Sequence, residues 1–144
     1  MRNLNIIIDT REQLPLFKRG IRRALTVGDY TTKELEHRYH IERKSPQDLY
    51  GSIIQGHLRF RNMLLRAKKQ KIELVVVVEC SAEDFYAKKW SGGERRKTSG
   101  KTLMKIIDTM YWKYGIEFIW CKNRRGAARK VKELLQNKES KTNK

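Results

Sequence analysis

The chain has 144 residues, enough for one domain with a single hydrophobic core and too few for two. Its 33 lysines and arginines against 16 aspartates and glutamates give a formal charge of +17, which predicts a polyanionic partner. Residues 1–85 carry 16 basic and 11 acidic side chains, a net charge of +5, whereas residues 86–144 carry 17 and 5, a net charge of +12. We therefore expect chemistry in the first part and contact with a phosphate backbone in the second.

Two features argue against secretion and membrane insertion. The chain enters an apolar strand within a few residues without a signal-peptide pattern, and the apolar run at residues 74–78 is far too short to span a bilayer. Cys80 and Cys121 each follow an apolar run and lack metal-ligand spacing, so we expect reduced, buried thiols. These observations predict a cytoplasmic protein, nucleoid-associated or inside a host cell if viral, with no membrane contact.

Strands alternate with helices along the chain. Strands are predicted at residues 4–8, 24–27, 39–42, 72–79 and 116–120. Helices are predicted at residues 46–67, 82–88, 103–114 and 126–137, whereas residues 13–23 have the composition of a loop. The continuous apolar run at 72–79 indicates a strand in the middle of the sheet. The alternation predicts an α/β fold with a central mixed β-sheet flanked by helices.

Some predictions concern burial and order. In the helix predicted at 46–67, which begins after Ser45 as N-cap, the expected inward residues are Leu49, Ile53, Leu58 and Leu65. Residues 88–101 are glycine-rich and basic, and we expect a loop too polar to pack. Trp112 and Trp120 are expected in the core. Residues 138–144 predict a basic disordered tail, so the domain is expected to span residues 1–137.

The motifs between Gly28 and Asp48 combine three carboxylates, those of Asp29, Glu42 and Asp48, with the lysine Lys44. Asp29 follows Gly28 at a predicted strand end, and Glu42 and Lys44 are two positions apart in another strand, so their side chains share one face. Mg²⁺ prefers a few carboxylate oxygens and keeps water or phosphate in its other positions. The group therefore predicts a divalent-metal site for phosphate chemistry, with the lysine stabilising developing negative charge.

Each residue of this group also has an ordinary structural interpretation. Asp29 can be a turn residue, and Glu42 and Lys44 can be surface charges at a strand end. Asp48 can cap the helix that begins after Ser45, which is compatible with a position near the site. The combination of all these residues favours the metal site over the separate structural roles.

Two other segments carry candidate residues. Asp9 and Glu12 follow the first strand and are expected at the same edge of the sheet, although Asp-Thr-Arg-Glu is also common in loops. The run Gly100-Lys101-Thr102 has Arg95 where a nucleotide-binding loop needs glycine, so no nucleotide cofactor is expected. We expect this loop and the last helix to contact the phosphates of a nucleic acid. The candidate contacts are Arg11, Lys88, Lys89, Arg95, Arg96, Lys97, Lys101, Arg124 and Arg125.

The motifs resemble a known family. Ile8-Asp9-Thr10-Arg11-Glu12, Gly28-Asp29-Tyr30, and Glu42-Arg43-Lys44 followed by Asp48 are similar to the nuclease domain of the XPF-type structure-specific endonucleases, which also includes the archaeal Hef nucleases. The resemblance covers most of residues 4–121. It implies a restriction-endonuclease-like fold and Mg²⁺- or Mn²⁺-dependent hydrolysis of DNA near a flap, fork or junction, in repair, recombination or replication.

The resemblance also implies roles for individual residues. Asp29 and Glu42 would hold the metal, with Asp9 joining them, and Lys44 would orient or polarise the attacking water. The residues that would complete or support the site are Asp9, Arg11, Glu12, Arg43 and Asp48. A homodimer is a further implication of the family pattern.

A different class of function is a second hypothesis. A domain with this fold could recognise branched nucleic acid or act as a scaffold without cutting it. Family members with decayed sites lose the Glu-x-Lys residues, which Glu42 and Lys44 retain here. A small basic RNA-binding protein would explain the charge but not the carboxylates. The sequence therefore favours the enzyme.

Overall fold

The computed structural model describes residues 4–13 and 15–142, except the side chain of Thr142. Within them, the strands are β1 (Ile6–Ile8), β2 (Ile21–Arg22), β3 (Tyr30–Thr32), β4 (Tyr39–Lys44), β5 (Glu73–Val78) and β6 (Glu117–Trp120). They form one sheet in the order β2-β1-β3-β4-β5-β6. β3 is antiparallel to β1 and β4, whereas β4, β5 and β6 are parallel to one another. This confirms the predicted mixed sheet of an α/β fold.

Helices cover both faces of this sheet. The helices are α1 (Pro46–Ile53), α2 (His57–Lys69), α3 (Ala82–Tyr86), α4 (Gly100–Tyr114) and α5 (Arg124–Thr142). α1 to α4 pack on the face that carries Val76 and Val78 of β5. α5 packs on the other face, which carries Val75 and Val77, because alternate residues of a strand point to opposite sides. The predicted arrangement of helices flanking the sheet is confirmed.

The junction of β4 and α1 positions the end of the sheet. The Ser45 hydroxyl accepts a hydrogen bond from the Asp48 N–H at 3.1 Å, and Pro46 is the first helical residue. The predicted helix start is therefore confirmed. Lys44, the last residue of β4, and Asp48, in the first turn of α1, consequently lie at the same edge of the sheet.

One predicted strand was wrong. Residues 24–27 form a loop in which the Leu25 N–H donates to Asp9 Oδ1 at 2.8 Å, and the strand lies further on, at Tyr30–Thr32. Thr31 is fully buried, and its hydroxyl donates to the Tyr39 carbonyl at 2.6 Å. Tertiary hydrogen bonding thus overrides the apolar pattern. The segment 13–23, predicted as a loop, also contains β2.

The helix predicted at 46–67 is two helices. The chain turns at residues 54–56, where the Gly56 N–H donates to the Gly51 carbonyl at 2.7 Å. Leu58 and Leu65 are 60% and 39% exposed, so their predicted inward orientation was wrong. The residues of α2 that do face the core follow a spacing of i, i+4 and i+7. They are Phe60, Leu64 and Ala67.

The segment 88–101 packs against the domain, contrary to the expectation of a loop too polar to pack. Trp90 is buried, with its ring centre 6.0 Å from that of Phe85 and 5.8 Å from that of Tyr50. A side chain at Gly100 would overlap the Tyr86 carbonyl. One tryptophan and the glycines, whose lack of side chain allows close packing, therefore order a segment that is otherwise polar.

Two further expectations were wrong. Trp112 is 77% exposed, because it lies nine residues after the buried Leu103 and therefore on the opposite side of α4. Residues 138–142, expected in a disordered tail, continue α5. Lys138 Nζ lies 2.7 Å from Glu73 Oε1 there, and Glu139 is buried. The remainder of the predicted tail, residues 143–144, lies outside the described residues.

Other expectations concern the cysteines, Trp120 and membrane contact. Cys80 and Cys121 are buried free thiols, and burial raises the pKa of both. Trp120 is half-buried against the core. Across the described chain, no helix is both long enough and apolar enough to cross a membrane.

Candidate active site

A cavity of about 490 Å³ opens at the carboxyl end of β4. Residues from three separate predicted motifs line it. They are Asp9 and Arg11 after β1, Asp29 before β3, Glu42 and Lys44 in β4, and Asp48 in α1. The fold therefore brings six of the predicted site residues to one place.

Main-chain hydrogen bonds fix the acidic residues of this cavity. The Asp9 N–H donates to the Asp29 carbonyl, and the Asp29 N–H donates to the Ile41 carbonyl, both at 2.8 Å. Gly28 has a φ of +74°, and a Cβ there would lie 3.2 Å from the Ile41 carbonyl oxygen, so glycine is required. The Asp29 carboxylate accepts a further bond from the Arg43 N–H at 2.8 Å. Asp29 is therefore held against β4 from both its backbone and its side chain.

Asp29, Glu42 and Lys44 form the centre of the site. Burial raises the pKa of Asp29 well above its usual value, and the charge of Glu42 raises it further against the lowering effect of the Arg43 N–H. Lys44 Nζ lies 3.0 Å from Glu42 Oε2, and the two side chains are 11% and 14% exposed. Two half-buried carboxyl groups, of which Glu42 raises the pKa of Asp29, favour an additional cation between or beside them.

Asp9 and Arg11 form a pair at the side of the cavity. Asp9 Oδ1 accepts the Leu25 N–H at 2.8 Å, and Oδ2 accepts Arg11 Nε at 3.0 Å. Burial would raise the pKa of Asp9, but these bonds and the charge of Arg11 hold it below the usual value. Hydrogen bonding to Asp9, with the nearby charges of Asp29 and Glu42, raises the pKa of Arg11. Asp9 therefore contributes mainly by holding Arg11 beside the other two carboxylates.

Glu12 and Arg43, which the sequence analysis assigned to the site, do not line the cavity. Arg43 Nε and Nη2 are each 2.9 Å from a carboxylate oxygen of Glu12, and Nη1 is 2.6 Å from Glu79 Oε1. The Tyr30 hydroxyl donates to Glu12 Oε2 at 3.0 Å. Since Arg43 lies between Glu42 and Lys44 in the strand, its side chain points to the opposite face. This network anchors Arg43, whose main-chain N–H holds the Asp29 carboxylate.

The donor set fits a divalent cation that keeps much of its hydration. Within residues 4–13 and 15–142, no three His, Cys, Asp or Glu side chains are grouped so as to enclose a metal ion. The available ligands are the carboxylates of Asp29 and Glu42. Mg²⁺ and similar ions bind through one or two carboxylates and fill the remaining positions with water and phosphate oxygens. The pair therefore suits a metal that acts on a phosphate.

The sequence analysis missed residues that α1 and α2 bring to the cavity. Arg59, Phe60, Met63 and Arg66 of α2 line one wall, and Gly51 and Ser52 of α1 line the junction beside it. Residues 59, 63 and 66 follow helical spacing and share one side of α2. The sequence shows that these residues share one side of a helix, but their position at the cavity depends on the turn at residues 54–56 that separates α2 from α1.

Apart from Arg11, which lines the cavity, the basic residues predicted to contact DNA lie in segments that follow β5 and β6. Both segments leave the sheet at the edge where Lys44 ends β4, because these strands are parallel. Lys88 Nζ donates to the Arg96 carbonyl at 2.8 Å, and the Arg96 guanidinium lies 5.1 Å from the centre of the Tyr50 ring, so both contribute to packing. Arg124 Nη2 donates to the Pro15 carbonyl at 2.9 Å. The other candidates are exposed: Lys89, Arg95, Lys97, Lys101 and Arg125.

The fold and the site together define a nuclease domain of the restriction-endonuclease type: a mixed sheet between helices, with acidic residues and a lysine at its edge. The chain belongs to the ERCC4 family, because the family model described as the ERCC4 domain matches residues 8–134. This confirms the XPF-type nuclease domain that the sequence motifs predicted.

Solved structures give the same fold. XPF from Aeropyrum pernix matches with a TM-score of 0.73 and 19% identity over 92% of this chain. XPF from Aeropyrum pernix in complex with DNA matches with a TM-score of 0.72 and 20% identity over 96% of this chain. The chain spans 60% and 66% of the lengths of those two chains, respectively. A comparison with curated proteins found no match.

Proposed function

We propose that this chain is a divalent-metal-dependent DNA endonuclease that hydrolyses a phosphodiester bond near a flap, fork or junction. The observation that carries the proposal is the pair of carboxyl groups of Asp29 and Glu42, with Lys44 3.0 Å from Glu42, inside a cavity that is open to solvent. Membership of the ERCC4 family supports nuclease activity. Branched DNA, and a role in repair, recombination or replication, follow from the resemblance to XPF-type enzymes.

The site residues have separate roles in this reaction. Asp29 and Glu42 would hold Mg²⁺ or Mn²⁺, with Asp9 beside them. A divalent cation supplies a water of lowered pKa and neutralises charge on the phosphate. Lys44 provides a fixed positive charge that stabilises the attacking hydroxide and the charge that develops on phosphorus. Arg11, held by Asp9, provides a second positive charge at the side of the same cavity.

Charge and one relative support DNA as the substrate. The net charge of +17 favours a polyanion, and a structure of similar fold contains an XPF in complex with DNA. Exposed basic residues follow β5 and β6 at the edge where the cavity opens. We expect these residues to bind the phosphate backbone on either side of the cleaved bond.

The proposal is tested by cleavage of end-labelled DNA. Flap, fork, four-way-junction and plain duplex substrates are incubated with Mg²⁺, Mn²⁺ or EDTA, using wild type, Glu42→Gln and the surface control Glu36→Gln. We expect metal-dependent cuts near the branch for wild type and Glu36→Gln, and none for Glu42→Gln, which should still bind DNA. If wild type binds branched DNA without cutting it in any metal, the domain is a recognition or scaffold module instead.

A further inference from the structure

The wall of the cavity formed by α2 carries two arginines and no acidic residue. The whole helix, residues 57–69, contains five lysines and arginines and no acidic residue. Arg59 and Arg66 from this helix line the cavity together with Met63 and the buried ring of Phe60. Asp29 and Glu42 line the same cavity from the sheet. The cavity is therefore bounded by the two carboxylates and Lys44 on the sheet and by the two arginines on α2.

The two arginines of this wall differ in how they are held. Arg66 Nε donates to the Thr26 carbonyl at 3.1 Å, which ties α2 to the loop that leads into Gly28 and Asp29. Arg59 is exposed, and its guanidinium has no hydrogen bond or ion pair with any residue in the part of the chain that the structure describes. Arg59 is thus a cation at the cavity without a partner among the described residues, which is the state expected of a side chain that binds an external anion.

The floor beside Arg59 leaves room for a phosphate backbone. Gly51 and Gly56, at the junction of α1 and α2, line the cavity. A Cβ at Gly51 would meet no atom within 4 Å, so this part of α1 faces open space. A sugar-phosphate chain can therefore approach the main chain at the junction while its phosphates lie near α2.

We propose that Arg59, with Arg66 beside it, binds a backbone phosphate that flanks the cleaved one, so that α2 is the phosphate-binding wall for the substrate strand. This inference rests on the proposed function, because it assigns the strand that enters the cavity. It adds a binding site that is separate from the basic segments after β5 and β6. A guanidinium binds phosphate oxygens with two parallel N–H donors, which would hold the strand at a defined position beside Asp29 and Glu42.

The experiment measures binding of a fluorescently labelled DNA fork in EDTA, where no cleavage occurs, by anisotropy between about 50 and 200 mM salt. The variants are Arg59→Gln, Arg59→Lys and the matched control Arg61→Gln. Arg61 is in the same helix with the same charge, but it donates from Nε to the Tyr114 hydroxyl at 3.1 Å on α4. Circular dichroism checks that all variants are folded.

We expect Arg59→Gln to bind more weakly and to reduce the slope of log K against log salt by about 0.7 to 0.9, the value for one lost phosphate contact. Arg59→Lys should retain the slope because it keeps the charge, and Arg61→Gln should match wild type. The inference is overturned if Arg59→Gln keeps the wild-type slope, if Arg61→Gln loses as much, or if wild type does not bind the fork.

A parallel cleavage assay in Mg²⁺ separates this inference from the proposed function. If wild type binds the fork but never cuts it, the proposed function fails, while a slope reduced only in Arg59→Gln still supports the phosphate site. If wild type cuts normally and Arg59→Gln has an unchanged salt slope, the enzyme assignment stands and the phosphate site is rejected.

Discussion

Arg43 links the candidate site to the ion pairs outside it, through its main-chain N–H and through its guanidinium. Its N–H holds the Asp29 carboxylate at 2.8 Å, and its guanidinium is bound by Glu12 and Glu79. Hydrogen bonds and charge from Glu12 raise the pKa of Arg43, whereas burial would lower it. Removing one member of such a network leaves the other charges less compensated. The position of Asp29 therefore depends on residues that lie outside the cavity.

We predict that Glu12→Gln lowers the free energy of unfolding by about 2 kcal/mol, because a buried hydrogen bond between charged groups loses its charge while Glu79 still binds Arg43. Glu36→Gln is the control. Its partner Arg23 is 45% exposed, so the loss should be about 0 to 1 kcal/mol. Urea unfolding at neutral pH measures both. Equal losses in the two variants would contradict the role assigned to the buried network.

The same variant has an expected pH dependence. Burial would raise the pKa of Glu12, but Arg43 and Tyr30 hold it below its usual value in the folded protein. Its stabilisation is therefore complete above the unfolded pKa of about 4.3 and is lost as pH falls through the lowered folded pKa. The difference between wild type and Glu12→Gln should shrink in acid over that range.

Asp29 behaves in the opposite way. Because its folded pKa is raised by burial and by Glu42, ionised Asp29 destabilises the metal-free fold. We predict that Asp29→Asn raises the melting temperature in EDTA at pH 7 while abolishing cleavage, since the amide oxygen can still accept the Arg43 N–H. The gain should disappear below the unfolded pKa of about 3.9, where the carboxyl is protonated in both states. A variant less stable than wild type at pH 7 would contradict this account.

At the scale of elements, glycines at the junction of α1 and α2 lower the stability of these helices but leave room in the cavity. Gly51 lies within α1, where alanine is favoured, yet its missing side chain leaves part of the cavity open. Gly56 begins α2 without a side-chain cap. Both features cost helix stability, and both lie along the cavity.

We predict that Gly51→Ala raises the free energy of unfolding by about 0.5 to 1 kcal/mol and lowers DNA cleavage, because the methyl group enters open cavity space. Gly115→Ala is the control. A Cβ there also meets no atom within 4 Å, but φ is +68°, so alanine should cost about 1 kcal/mol and leave cleavage unchanged. Opposite signs of the two stability changes, with cleavage lost only in Gly51→Ala, are the expected result.

Elements with local signals were predictable from sequence, and those decided by tertiary contacts were not. The start of α1 has its cap at Ser45 and Pro46, and β5 is a continuous apolar run, so both appeared in the sequence. β3 carries two buried threonines, and the hydroxyl of Thr31 donates to the Tyr39 carbonyl of the neighbouring strand, which no local pattern shows. The packing of residues 88–101 likewise depends on one buried tryptophan, Trp90, in a polar segment.

The residues of the candidate site also divide into those that the sequence could group and those that it could not. Asp29, Glu42 and Lys44 could be grouped from spacing along strands, since side chains two apart share a face. That period also separates Arg43 from them, so its place on the opposite face was accessible from the sequence. The contribution of Arg59 was not, because the direction of α2 changes at residues 54–56 and only the folded chain brings that helix against the carboxylates.

At the scale of the whole molecule, a bound cation should stabilise the fold. A metal that binds only the folded state adds about 2.7 kcal/mol at 100 times its Kd. We predict that Mg²⁺ or Mn²⁺ raises the melting temperature of wild type relative to EDTA, and that Asp29→Asn loses most of this rise. Asp108→Asn, which removes an exposed carboxylate on α4, is the control and should respond as wild type. Equal responses of all three proteins would indicate a nonspecific ion effect.

The hydrogen bonds from the Asp9 and Asp29 amides have a consequence for how the site can be lost. Both amides donate to backbone carbonyls between neighbouring strands in the middle of the sheet, at Asp29 and Ile41. Deuterium exchange at these amides requires separation of those strands, so it should follow the slow, global opening of the domain rather than loop fluctuations. Asp9 and Asp29 consequently stay in place as long as the domain itself remains folded.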